Sequence, residues 1–90
     1  MKMMYIRCKK YNINKLINLK NVDELGCNTK ENTIYARFQG KEYILMKLNA
    51  EDNAEIICTH ILEDYIKQSM STDSFTIDVD DILKKIHNNQ

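Results

Sequence analysis

Cys58 and His60 are the closest pairing of a nucleophile with a base in this chain. On a helix, residues two apart point in different directions, so the pair fails as a catalytic dyad and as a metal clip. A zinc site would need ligands converging at short range, such as paired Cys-x-x-Cys or His-x-x-x-His, and the sequence has neither. Cys8 and Cys27 fall on separate expected strands and could approach, but two thiols do not complete a site. All three cysteines read as small buried hydrophobes. Carboxylates occur side by side at Asp23-Glu24, Glu51-Asp52, Glu63-Asp64 and Asp80-Asp81. Sequence neighbours do not face each other on a helix, and two of these pairs suit the first turns of helices, where the dipole favours acids. Gly26 and Gly40 stand alone, so no glycine-rich phosphate loop is present. These residues imply no enzyme, no cofactor, no metal and no small-molecule substrate.

Nucleic-acid chemistry has more to recommend it. Tyr5, Arg7, Lys9, Lys10 and Tyr11 interleave aromatic rings with cations, a pattern that can neutralise a backbone and stack bases. The competing explanation is an edge strand guarded by lysines against unwanted pairing. The charge layout bears on both. Residues 1–22 carry six bases and no acid, residues 23–50 carry four of each, and residues 51–90 carry nine acids against three bases, so the chain is neutral but sorted. The simplest account is an acidic helical half docked over basic strands. The alternatives are a charged partner on one patch, or an acidic end that imitates a phosphate backbone.

The elements that would position these residues follow from periodicity. Met3–Lys10 alternates, with Met4, Ile6 and Cys8 on one side and Tyr5, Arg7 and Lys9 on the other, which is a half-buried strand. Ile13–Leu19 continues as a second strand. A turn near Lys20-Asn21 leads to a third from Val22 to Cys27, where Gly26 marks a bulge. Thr33–Phe38 is the fourth. Gln39-Gly40 makes a two-residue hairpin loop into the fifth, with Arg37 opposite Glu42, Ala36 opposite Tyr43, Tyr35 opposite Ile44 and Ile34 opposite Leu45. One face then carries Ile34, Ala36, Phe38, Tyr43 and Leu45, and the other carries Tyr35, Ile44, Met46 and Leu48. An antiparallel sheet under one helix needs only one apolar face, so Tyr35, Ile44, Met46 and Leu48 are expected to meet a partner, and a second copy of the chain would serve.

Asn49 is the expected N-cap of a long helix running to Ser69, with Ala54, Ile57, Cys58, Ile61 and Tyr65 inward. Phe75–Ile77 adds a short strand. Asp78, Asp81, Ile77 and Ile82 make a capping box and staple for a second helix over Val79–His87. The expected fold is therefore α+β and a single domain over 1–90. Residues 3–48 form an antiparallel sheet of about five strands, 49–69 a long covering helix, and 75–87 a short strand and C-terminal helix.

Bulk composition agrees with this. Hydrophobic residues make up 43% and charged residues 29%, too apolar for a disordered chain. An odd number of widely spaced cysteines does not suit a disulfide framework, and no apolar run has the length of a signal peptide or a membrane span. The protein reads as reduced, cytoplasmic and not membrane-bound. Ile, Lys and Asn supply 33 of 90 residues, which implies an AT-rich genome, bacterial or phage. The positions Ile17-Asn18-Leu19, Asn21-Val22, Gly40, Glu42-Tyr43-Ile44 and Ala54-Glu55 resemble a recurring type of small β-meander-plus-helix protein from AT-rich bacteria and their phages, over about Tyr5 to Ile66. That resemblance implies no activity and assigns no functional residues. The function expected is a small non-enzymatic interaction or regulatory module, homodimeric, with a nucleic-acid-binding accessory protein as the alternative.

Overall fold

A computed structural model describes residues 2–88. The order is β1 (Met3–Cys8), β2 (Ile13–Asn18), a single 3-10 turn (Leu19–Asn21), β3 (Val22–Asn28), β4 (Thr33–Phe38), β5 (Lys41–Lys47), α1 (Ala54–Ser69), β6 (Ser74–Asp78) and α2 (Val79–Asn88). The α+β class holds, but the single five-stranded sheet does not. Among the described residues there are two three-stranded sheets, ordered β2-β1-β6 and β3-β4-β5. The chain parts at the 3-10 turn, where the Asn18 side chain accepts a hydrogen bond from the Lys20 amide. That turn redirects β3 away from β2. The free side of β1 is taken by β6, which lies parallel to it, with Met4 beside Phe75 and Ile6 beside Ile77.

One core joins both sheets to both helices. α1 packs on β3, β4, β6 and α2, and α2 packs on β1. Met4, Ile6, Ile34, Met46, Ile57, Ile77, Val79 and Ile82 are its most enclosed side chains. α1 starts at Ala54 rather than after Asn49, and the cap is Asn53, whose side chain accepts from the Ile56 amide at 3.1 Å. Asn32 explains the delay. Its side-chain amide donates to the carbonyls of Asn49 and Asp52 at 3.0 and 2.9 Å, and its oxygen accepts from the Ala54 amide at 3.0 Å. Residues 49–52 are thus held as a separate turn. α2 begins as expected, with the Asp78 carboxylate accepting from the Asp81 amide.

The hairpin over β4 and β5 forms at Gln39-Gly40, both with positive φ, which is the twist a two-residue loop requires. Arg37 faces Glu42, Ala36 faces Tyr43 and Tyr35 faces Ile44 as expected, and then the register slips so that Ile34 faces Met46. Leu45 is the extra residue of a bulge. The other bulge in this sheet lies at Asp23, not at Gly26. Gly26 answers a different need, because an added Cβ would sit 2.9 Å from the Tyr35 hydroxyl. Gly26→Ala should therefore destabilise relative to the same change made in a Tyr35→Ala background. The expected coupling is about 0.5–1 kcal/mol, read from a denaturant double-mutant cycle.

Candidate functional site

Leu45 decides which of the expected partner-binding residues reach the surface. A one-residue slip moves everything after it to the other face. Met46 and Leu48 consequently turn inward and are buried, Met46 at 1% exposure, so neither is available to a partner. Tyr35 stays on the outer face but is occupied there. Its hydroxyl donates to Glu24 at 2.6 Å, and Arg37 stacks 5.5 Å from its ring while bridging Glu24 at 3.3 Å and Glu42 at 3.2 Å. Hydrogen bonding to Glu24, with some burial, raises the Tyr35 pKa. Ile44 is left as an isolated exposed aliphatic, which is common on any protein surface.

The basic N-terminal residues are likewise committed internally. Arg7 pairs with Asp78 at 3.2 Å. Lys10 pairs with Asp52 at 2.7 Å and Glu51 at 3.4 Å. The Tyr5 hydroxyl donates to Asn14 and the Tyr11 hydroxyl donates to Asp52. Among the described residues, only Lys9 of this group has no acidic or hydrogen-bonding side-chain partner. The backbone of the turn is held too. Asp80 accepts from the amides of Lys9 at 2.8 Å and Lys10 at 3.4 Å, and from the Cys8 thiol. Opposite charges at the two ends of the chain thus meet within the fold; Tyr5, Arg7 and Lys9 line one cleft of about 270 Å³ together with Asp80, while Lys10 and Tyr11 turn to Asp52.

Asp52 is the hub of that arrangement, and sequence reasoning missed it. Its side chain is 2% exposed, and His87 Nε2 lies 3.6 Å from its second oxygen. Burial works to raise its pKa, but the hydrogen bonds from Lys10 and Tyr11 outweigh this and leave the carboxyl below its ordinary value. Lys10 is raised in turn, chiefly by the Asp52 bond. The small crevice beside the hub, about 50 Å³ between Asn53, Ile57 and Ile86, is too narrow for a substrate. The hub ties the β1–β2 turn, the start of α1 and the end of α2 to one carboxylate, which is a structural task.

The cysteines meet differently from expectation. Cys8 contacts Asp80, whereas Cys27 lies against Cys58. Burial, with the Cys27 thiol beside it, pushes Cys58 up to about 11, so it stays protonated at neutral pH. Among the described residues no group of three His, Cys, Asp or Glu side chains could hold a metal ion, and no helix is long and apolar enough to cross a membrane.

What remains unaccounted for is the far half of the β4–β5 hairpin. On its inner face Ile34 and Ala36 are buried. Beyond them Phe38 and Tyr43 pack edge-to-face at 5.5 Å, Tyr43 is 50% exposed, and both open onto a cleft of about 340 Å³ against the β2 edge. Ile17 and Leu45 form its floor, and Leu16, 65% exposed, stands at its rim. Lys15 is the charged residue lining it, and Lys41, paired across the hairpin with Phe38, shares that face. The apolar alternation of Phe38, Tyr43 and Leu45 was legible, but their assignment to the covered side hid this surface. The fold and the cleft define a small two-sheet α+β domain with an apolar cleft against the β2 edge. No protein-family model matches the chain, and neither a curated protein nor a solved structure matches it.

Proposed function

We propose that the protein is a non-enzymatic interaction module that works as a homodimer through the open half of the β4–β5 hairpin. The observation that carries this reading is the half-exposed Tyr43, with partly buried Phe38 packed edge-to-face on it over an apolar floor, next to an edge strand that has no neighbour on that side. A contiguous apolar cleft with a polar rim is the kind of surface that marks a protein contact. A nucleic-acid role gains little support, because Arg7 and Lys10 already hold Asp78, Asp52 and Glu51.

Light scattering after size exclusion tests the reading. The wild-type chain is expected at twice the 10.6 kDa of one copy, and Tyr43→Asp, at an exposed position, is expected at the mass of one. A wild-type chain that stays monomeric at millimolar concentration overturns it.

A further inference from the structure

The outer side of α1 presents a second apolar surface that the chain itself leaves uncovered. Ala54, Ile57, Cys58 and Ile61 of this helix are buried, yet Ile66 and Met70 are exposed, Met70 at 84%. These two lie four residues apart, roughly 6 Å along the axis, and Glu63 precedes Ile66 by three, so all three share one side of the helix. Glu63 is exposed and makes no ion pair among the described residues; Lys67, one turn further on the same side, does not come within pairing distance of it. The hairpin cleft has the opposite character. It is apolar, its charged lining residue is Lys15, Lys41 shares the face of Phe38, and no acid lines it.

We infer that the cleft receives the Glu63–Ile66–Met70 side of α1 from a second copy of the chain. The inference rests on the dimer reading above and names the surfaces that make the dimer. Within one chain the contact is barred, because α1 already spends its other side on β3, β4 and β6. Between two copies, the Ile66 and Met70 side chains enter beside Phe38 and Tyr43, while the Glu63 carboxylate faces the Lys15 and Lys41 ammonium groups. This is helix-in-groove recognition, with the charges setting orientation. Under a two-fold axis the same contact is made twice, and a pair of that kind does not propagate.

Three chains test this by sedimentation velocity: the wild type, Tyr43→Asp, and Ile66→Asp with Met70→Asp. All the altered side chains are exposed, and an unchanged far-ultraviolet circular dichroism spectrum verifies folding. Each variant alone is expected to be monomeric. An equimolar mixture of the two is expected to form a heterodimer weaker than the wild type, since one of its two contacts joins an intact helix side to an intact cleft. Lys15→Glu with Lys41→Glu should weaken the dimer at least tenfold, and Glu63→Lys in the same chain should restore part of that loss. A wild-type dimer whose Kd is unchanged by the Ile66 and Met70 substitutions overturns the helix-in-cleft contact while leaving self-association standing. A mixture of variants that stays monomeric, or wild-type species that keep growing with concentration, also overturns it. A monomeric wild type removes both readings together.

Discussion

Lys10→Met is expected to destabilise the protein more than Asp52→Asn, although the two changes break the same 2.7 Å ion pair. The asymmetry follows from burial. The Lys10 side chain is about a third exposed, at 35%, so without its partner the ammonium turns to water. The Asp52 carboxylate is 2% exposed and cannot. A carboxylate left enclosed without its charge partner is costly, because water cannot take the partner's place. The loss in Lys10→Met is moderated, because Tyr11 still donates to Asp52 and His87 remains near it. Asp52→Asn keeps an acceptor for Tyr11 and should cost about 1–2 kcal/mol, as for the loss of charge-assisted hydrogen bonds. For a domain of this size each kcal/mol moves the thermal midpoint by about 4–8 °C, so calorimetry separates the two variants clearly.

The same pair sets an acid limb. The Asp52 pKa is lowered from an ordinary 3.8 in the folded chain. Its contribution is therefore fully present above the unfolded value and is lost as pH falls through the lower folded one. Asp80 behaves likewise, since the Lys9 and Lys10 amides outweigh the burial that would raise it. Wild-type stability should be level down to about pH 4 and fall below it, with Asp52→Asn showing a shallower fall. Lys10→Met removes the largest influence lowering the Asp52 carboxyl, so its acid transition should begin at higher pH than that of the wild type. Equal transitions in the wild type and both variants would mean that Asp52 is not the hub described.

What could be read in the sequence, and what could not, divides along the physics of range. The Gln39-Gly40 turn and the Asp78–Asp81 cap are local, each set by residues within three or four positions, and both form where the pattern places them. The six-base and nine-acid ends of the chain foretold attraction between them but not its geometry. Lys10 and Asp52 are 42 residues apart, and Arg7 and Asp78 are 71 apart. Nothing in periodicity singles out such partners. The parallel pairing of β1 with β6 is of the same kind. Ser74–Asp78 shows ordinary alternation, and the choice of neighbour depends on α1 carrying the chain back across the core. Asn32 sits among the polar residues between β3 and β4, yet its side chain makes the bonds that delay α1. Its positive φ of 55° is compatible with asparagine, a residue that tolerates the left-handed region.

Met46→Ala should cost about 2–5 kcal/mol, and Ile44→Ala, two residues earlier on the same strand, less than about 0.5 kcal/mol. Strict alternation puts these two side chains on the same face and predicts similar effects. The bulge at Leu45 separates them, because Ile44 faces out at 54% exposure and Met46 faces in at 1%. Leu45 and Met46 are consecutive and both buried, which no regular strand produces. The slip also serves the cleft. Leu45 lines the cleft with Tyr43 and Phe38, while Met46 and Leu48 are buried in the core. One extra residue thus lets a single strand line both the closed and the open half of the hairpin. Chemical denaturation of the two variants at equal concentration decides the point. Comparable losses for both would mean that the register runs on without a slip, and the open cleft would then lose its floor. A large loss at Met46 alone, with a denaturant slope unchanged from wild type, places the difference in the folded core rather than in the unfolded chain.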